Sequence, residues 1–252
     1  MTTPRKTAVV TGASRGIGRA LALSFIQAGY DVWALARSAD ALEWLKREGG
    51  DALHTLAVDV ADEKAVLEAC RTVLQAGAPY VLVNNAGISH SAPLTKTSTE
   101  DLHRVMAVNV TAPYLFCREL TPAMISAGGG RIINIGSIAS VRGARYTSAY
   151  CASKHALLGL TRALAVEYAR KGITVNQVNP GWVETDMFAN AIGTIAQTTG
   201  RSPEQAREAL ASMNAMGRII RPEEVAALCL FLASDAAGGV NGAAYAMDGG
   251  DI

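Results

Sequence analysis

The sequence predicts an α/β fold, a single doubly wound seven-stranded parallel sheet with helices on both faces. Three observations predict it. Short β-branched runs alternate with longer stretches of helical periodicity, no Pro- or Ser-rich linker or internal repeat divides the chain, and a glycine cluster stands where the first strand hands over to the first helix.

The strand runs are Thr7 to Thr11, Asp31 to Ala36, Leu53 to Val58, Tyr80 to Asn84, Arg131 to Ile135, Ile173 to Asn179 and Ala243 to Met247. Between them, apolar residues recur at helical spacing over Arg19 to Ala28, Ala41 to Glu48, Glu63 to Ala76, Asp101 to Ala127, Tyr150 to Arg170 and Glu223 to Leu232. Half of the 252 residues are hydrophobic and only 6% aromatic, which suits a core of Val, Ile, Leu and Ala between sheet and helices. One domain over residues 1–252 is the economical expectation. The stretch from Glu184 to Arg221 is too long for an ordinary connection, and Ser202, Pro203 and Gln205 read as a capped helix start within it. Residues 185–221 are therefore expected to form a lid inserted over a substrate site, the alternative being a surface decoration that merely packs.

Composition excludes several classes. The formal net charge is +1 with both signs scattered, so there is no basic stripe for nucleic acid and no polybasic membrane patch. Cys70, Cys117, Cys151 and Cys229 form no CxxC pair, so no metal site is expected, and they read as reduced thiols of a cytoplasmic protein. Met1 to Lys6 is short and polar, with no room for the apolar core of a signal peptide, and no apolar run would span a bilayer. The expected partner is a small molecule.

Thr11-Gly12-Ala13-Ser14-Arg15-Gly16-Ile17-Gly18 follows the first strand and opens the first helix. Backbone without Cβ admits a pyrophosphate, and N–H groups at the helix start face its charge. The spacing is GxxxGxG. With Asp59-Val60, Asn84-Asn85-Ala86-Gly87, Asn109, Ser137, Tyr150-Cys151-Ala152-Ser153-Lys154, Asn179-Pro180-Gly181 and Asp248-Gly249-Gly250, the chain resembles the short-chain dehydrogenase/reductase family from Thr7 to its end. The resemblance implies a Rossmann-type NAD(P)-binding domain. It places Gly12, Ser14, Arg15, Gly16, Ile17 and Gly18 on the cofactor, Asp59 and Val60 beside the adenine, and Asn85, Ala86, Gly87, Pro180, Gly181, Val183 and Thr185 along the cofactor. Taken alone, Asp59 could equally cap the helix that starts near Ala61, and the Asn-Asn-Ala-Gly run could be a plain strand-ending turn.

Cofactor choice follows from charge. A carboxylate at the end of the second strand would repel a 2′-phosphate, but Ala36 stands there, followed by Arg37, with Arg15 in the glycine loop. Two guanidinium groups there fit NADP(H); the alternative is that both are solvated surface residues.

Tyr150 and Lys154 lie four apart on a helix and share a face. A free phenol titrates at about pH 10, and an ammonium beside it, with the positive nicotinamide of the oxidised cofactor, is expected to lower that value. Ser137 follows the fifth strand at the carboxyl edge of the sheet, where its hydroxyl could hold a carbonyl oxygen beside Tyr150. In the family Lys154 also holds the nicotinamide ribose, and Asn109 supports a water relay to the lysine. Each residue alone has an ordinary structural role; their joint order behind the glycine loop selects catalysis. His90, Arg142 and Arg145, and the set Trp182, Met187, Phe188, Met213 and Met216, are further candidates for substrate contact, against solvated or packing roles.

Gly172 to Asn176 and Pro180 to Met187 most resemble 3-oxoacyl-thioester reductases, including polyketide ketoreductases, implying an NADPH-dependent reductase that transfers a hydride to a 3-oxoacyl thioester (CoA or ACP) or related β-ketone. Gly128-Gly129-Gly130 before Arg131 departs from the basic residues that carrier-protein reductases tend to have there. General carbonyl reductase or secondary-alcohol dehydrogenase, and a non-catalytic NADP-binding sensor, are the alternatives. The resemblance also implies a homotetramer.

Overall fold

The computed structural model describes residues 5–251; Met1 to Pro4 of the polar N-terminus and Ile252 lie outside the described residues. In chain order the elements are β1 Thr7–Thr11, α1 Gly16–Gln27, β2 Asp31–Ala36, α2 Ala39–Gly49, β3 Leu53–Ala57, α3 Glu63–Ala76, β4 Val81–Asn84, α4 Thr99–Met106, α5 Ala112–Ser126, β5 Gly130–Ile135, α6 Ser148–Tyr168, β6 Ile173–Pro180, α7 Asp186–Thr199, α8 Pro203–Ala211, α9 Pro222–Ala233 and β7 Ala244–Met247. The strands form one parallel sheet in the order β3-β2-β1-β4-β5-β6-β7.

Both faces are covered, which is why the central strands read as continuous apolar runs rather than alternating ones. Every residue of β5 and of β6 is buried. On one face Leu21 and Phe25 of α1 pack with Val225, Cys229 and Leu232 of α9; on the other, Val66 and Val73 of α3 meet Leu115, Phe116, Leu120 and Met124 of α5. Each such side chain contributes about 1.5–3 kcal/mol through burial.

The strand order reverses direction between β1 and β4. At that switch point a crevice opens beyond the carboxyl ends of the strands, the place where open α/β sheets bind ligands. Thr11 clamps its two sides together: its hydroxyl oxygen accepts from the backbone N–H groups of Asn85 and Ala86, both at 3.0 Å.

Two expectations need correction. The helix expected over Asp101 to Ala127 is two helices, α4 and α5, joined by a π-helical turn at Ala107–Thr111. Pro113 has no N–H to give the carbonyl four residues back, at Asn109, so the regular α ladder fails there and the turn widens. Asp59 caps no helix. Asp62 does, accepting from the N–H groups of Lys64 and Ala65, while Asp59 accepts from Ala61 N–H in the preceding turn. The helix start at Ser202 has the expected form, its hydroxyl accepting from Gln205 N–H while Gln205 accepts from Ser202 N–H.

Candidate active site

The glycine loop forms a cradle that side chains would fill. Gly12 (φ +66°) and Gly16 (φ +53°) adopt left-handed backbone, and a Cβ on Gly12 would stand 2.9 Å from Ala86 Cα. Asn85 holds the loop from below, its side-chain amide donating to the carbonyls of Thr11 (2.8 Å) and Gly12 (3.3 Å). Helix α1 has no side-chain cap on its first N–H groups and no acidic residue in its first turn, so those donors and the positive helix end face the cradle. This donor set fits a pyrophosphate, as the glycine spacing predicts.

Gly18 gives a sharp test. In a helix alanine is favoured over glycine by about 1 kcal/mol. A Cβ on Gly18, however, would lie 2.1 Å from the Gly12 carbonyl oxygen and 2.6 Å from Asn85 Nδ2. The clash outweighs the propensity because the near atom is backbone. Gly18→Ala is expected to lower the melting temperature by about 5 °C or more and to weaken dinucleotide binding about tenfold; a variant melting at or above the parent would refute the close-packed cradle.

The other cofactor candidates line up around this loop. Arg37 is exposed just beyond β2, and Val60 is buried beyond β3. Arg15 is not free: its guanidinium pairs with Asp186 at 3.1 Å. A Cβ on Gly16 would touch Thr185 Cγ2 at 3.0 Å, so the start of α7 meets the glycine loop. Thr185 caps α7, Val183 bridges to Ile220, and Gly181 N–H donates to the Met247 carbonyl.

Across the switch point the four predicted catalytic positions converge. Tyr150 and Lys154 sit one turn apart near the start of α6. Lys154 is buried, its ammonium donating to the Ile135 carbonyl at 2.8 Å and standing 5.7 Å from the Tyr150 ring centre. Asn109, in the π turn, accepts from Ile88 N–H and donates to the Ile88 carbonyl, both at 2.9 Å, and donates to the Ser153 hydroxyl at 3.0 Å. Gly87 lies between them: a Cβ there would be 3.4 Å from Asn109 Oδ1 and 3.6 Å from Lys154 Nζ. Ser137 begins the short 3-10 turn Ile138–Ser140, accepts from Ala139 N–H, and stands near enough to Tyr150 to draw its phenol down.

Burial sets the electrostatics of the cofactor-free site. Burial pushes the Tyr150 phenol above its ordinary value, the Ser137 hydroxyl draws it partly back, and Lys154 does not lower it in the cofactor-free chain. Burial also lowers Lys154 itself, to about 8.

The remaining candidates divide. Arg142 is held by Asp251 near the C-terminus, with its side chain on both the carboxylate and the backbone carbonyl, while Arg145 is exposed. His90 stands 3.8 Å from Asp101. Phe188 packs with Trp182, ring centres 5.8 Å apart, and with Leu210 and Ile219 in a small core of their own. Met187, Met213 and Met216 stay exposed. The four cysteines are free thiols, and burial raises Cys70 and Cys117 to about 12. Among the described residues no helix is long and apolar enough to cross a membrane, and no group of three His, Cys, Asp or Glu could hold a metal.

Sequence reasoning missed Thr11 and the buried polar groups Asn134, Thr161 and Gln177. Thr11 could have been found as the polar residue ending an apolar strand at the switch point.

A dinucleotide cradle at the switch point facing a Ser-Tyr-Lys constellation defines a nucleotide-dependent oxidoreductase of the doubly wound α/β class. The chain belongs to the short-chain dehydrogenase/reductase family. The sequence model of a family described as enoyl-(acyl carrier protein) reductase matches residues 12–251. The chain is 42% identical over 252 residues to 2-(R)-hydroxypropyl-CoM dehydrogenase of Xanthobacter autotrophicus, covering 97% of each. It is 38% identical over 250 residues to 3-oxoacyl-(acyl-carrier-protein) reductase FabG of Pseudomonas aeruginosa, covering 97% of this chain and 96% of that one. Among solved structures, a single-residue variant of actinorhodin polyketide ketoreductase with NADPH superposes with a TM-score of 0.95 at 33% identity, over 100% of this chain and 99% of that one.

Proposed function

We propose that the protein is an NADPH-dependent reductase that transfers a hydride to a ketone, with 3-oxoacyl thioesters or related β-ketones as the substrate class. The observation that carries this is buried Lys154 one turn from Tyr150 on α6, with Ser137 beside the phenol, at the sheet edge and next to the glycine cradle. A bound reduced nicotinamide supplies the hydride. Ser137 and Tyr150 bind the carbonyl oxygen; as hydride reaches the carbon and the π pair moves to oxygen, Tyr150 gives up its phenolic proton and the alcohol forms. Lys154 stabilises the resulting phenolate and orients the cofactor ribose. Asn109 holds the Ile88 segment and Ser153 in place and lines the route by which water re-protonates the tyrosine through the lysine.

Three of the structural relatives carry NADP or NADPH, and here no carboxylate ends β2. Arg37 is the main 2′-phosphate ligand in this reading. Arg15 contributes less, because Asp186 competes for it. A charge-assisted hydrogen bond is worth about 1.5–3 kcal/mol, so Arg37→Ala is expected to raise the NADPH KM about tenfold or more and leave the NADH KM within about twofold. Equal effects on both cofactors would refute the assignment.

Residues 185–221 act as the lid of a single domain spanning 1–252. The approach of Thr185 to Gly16 and the Arg15–Asp186 pair support this, and Pro180, Gly181, Val183 and Thr185 are assigned to the cofactor in the same reading. Exposed Tyr114 on α5 and Val166 on α6 support assembly through these helices into a homotetramer, which light scattering would check. Four unpaired thiols suit a cytoplasmic setting.

The deciding experiment follows nicotinamide absorbance with acetoacetyl-CoA, a free β-keto ester and an aryl ketone, using NADPH and NADH in parallel. Thioester turnover with NADPH is expected. Activity confined to the aryl ketone would instead indicate a general carbonyl reductase.

A further inference from the structure

A chain of buried polar side chains crosses the sheet toward Ser137. Asn84 on β4 and Asn134 on β5 are register partners, as are Asn134 and Gln177 on β6. Asn84 Nδ2 donates to Asn134 Oδ1 at 2.8 Å, and Asn134 Nδ2 donates to the Thr161 hydroxyl at 2.8 Å. Thr161 donates to Gln177 Oε1 at 3.1 Å, or to the Leu157 carbonyl at 2.8 Å, and Gln177 Nε2 donates to Asn179 Oδ1 at 2.7 Å. Asn179 Oδ1 also accepts the backbone N–H of Ser137 at 3.2 Å. All five side chains are at most 2% exposed.

With Thr161 giving its proton to Gln177, the donors and acceptors agree from Asn84 Nδ2 to Asn179 Oδ1, leaving Asn84 Oδ1 without a partner among the described residues at the outer end. Buried polar groups of this kind are costly wherever a link is not made. An apolar replacement of similar shape would hold the sheet together at no such risk. Gly136 makes the arrangement possible: a Cβ there would lie 2.1 Å from Asn179 Oδ1 and 2.4 Å from Gln177 Nε2.

The links end on the reacting groups' supports. Thr161 lies on α6, seven residues beyond Lys154 and eleven beyond Tyr150, on the same helix face. The ladder of β5 against β6 ends one residue before Ser137, where Gly136 N–H donates to the Val178 carbonyl at 2.7 Å. The other contacts of Ser137, with Ala139 N–H and Ser140 Oγ, are local and move with the turn. Among the described residues Asn179 alone ties the Ser137 backbone by a side chain to another element.

We infer that Thr161, Gln177 and Asn179 are positioning residues that fix the Ser137 turn relative to helix α6, and so set where the Ser137 hydroxyl stands relative to Tyr150 during turnover. This inference rests on the proposed reductase reading of Ser137 and Tyr150.

The test compares Thr161→Val, which keeps the shape and removes the hydroxyl, with Thr161→Ser, which keeps the hydroxyl, alongside Asn179→Ala and Ser137→Ala. Thr161→Val and Asn179→Ala are expected to lower kcat about tenfold, the effect of one lost buried hydrogen bond, with the NADPH KM within about twofold. In the cofactor-free protein they are expected to raise the Tyr150 titration followed by 13C-labelled tyrosine NMR, with the resonance assigned by Tyr150→Phe. Thr161→Ser restores both readouts. Should Thr161→Val not fold, Asn179→Ala at the far end of the relay carries the same comparison. Lower melting temperatures with unchanged kcat and unchanged Tyr150 titration would reduce the relay to a fold element and overturn the inference. If Ser137→Ala is inactive while Thr161→Val and Asn179→Ala are normal, the relay alone fails. If Ser137→Ala turns over like the parent, the site reading falls and the relay with it.

Discussion

Tyr150→Phe is expected to lower reductive turnover by about a thousandfold while leaving NADPH binding within about twofold. The ring stays, so packing near the start of α6 is kept; only the hydroxyl beside Ser137 is removed. A positioned general acid is worth about 10²–10⁴ in rate, and no other phenol, thiol or imidazole among the site residues replaces it. The pH dependence has a definite sign. Burial holds the phenol above its ordinary value, so in the cofactor-free chain it is protonated throughout the neutral range, the form that reduction requires. Carbonyl reduction should therefore hold steady through neutral pH and decline only as the pH rises past the phenol. Alcohol oxidation, which needs the phenolate, should climb over that range. Fluorescence titration with NADPH and single-turnover absorbance separate binding from chemistry. A Tyr150→Phe protein that binds NADPH normally and turns over at the parent rate would remove Tyr150 from the mechanism.

The parts of the fold set by local periodicity were legible from the residues. Fully buried strands such as Ile173–Pro180 show as unbroken β-branched runs, and the turn chemistry of Gly12 and Ser202 announces itself. The order of the strands, β3-β2-β1-β4-β5-β6-β7, depends on which distant segments pair and was not legible from periodicity. What misled was a local rule with a long-range consequence. The Asp101 to Ala127 stretch is apolar at helical spacing throughout, yet Pro113 opens the ladder at Asn109, and that opening aims Asn109 at Ile88 and Ser153. The proline was visible; that its effect falls four residues earlier, on a site residue, was the inference to draw.

The site shows the same division. Motif order located Ser137, Tyr150, Lys154 and Asn109, because each sits at a strand end or on one helix turn. Side-chain pairing between distant segments was not legible. Nothing in the glycine loop indicates that Arg15 meets Asp186, and nothing near Ser137 indicates that Arg142 is held by Asp251. The Asn134–Thr161–Gln177 links are likewise a product of register, since a one-residue slip of β6 would turn Gln177 to the other face. The lowering of the Tyr150 phenol expected from Lys154 with the oxidised nicotinamide concerns the loaded site; in the cofactor-free chain burial dominates both groups, raising the phenol and lowering the ammonium.

Lys154→Met is expected to abolish most turnover, about a thousandfold, and at the same time to stabilise the cofactor-free protein. The lysine is 4% exposed, and among the described residues its one hydrogen bond is to the Ile135 carbonyl. Burial lowers it from 10.5 to about 8. Below pH 8 the folded and unfolded chains both carry the ammonium, so the folded state bears the full cost of burying it, about 3 kcal/mol for that displacement. Between about 8 and 10.5 the unfolded chain binds the extra proton and the folded chain does not, so stability should rise with pH across that window. Methionine fills a similar volume without the charge. Against the recovered desolvation stands the loss of one hydrogen bond to the Ile135 carbonyl, about 1 kcal/mol, so a net gain of about 2 kcal/mol remains at neutral pH. Urea unfolding of parent and variant at neutral pH and again near the upper end of the window checks both parts. The variant should be the more stable at neutral pH, and its advantage should shrink as the parent gains stability in alkali. A variant less stable than the parent at neutral pH, together with a parent whose stability is flat over the window, would mean that the lysine is not a strained group retained for catalysis.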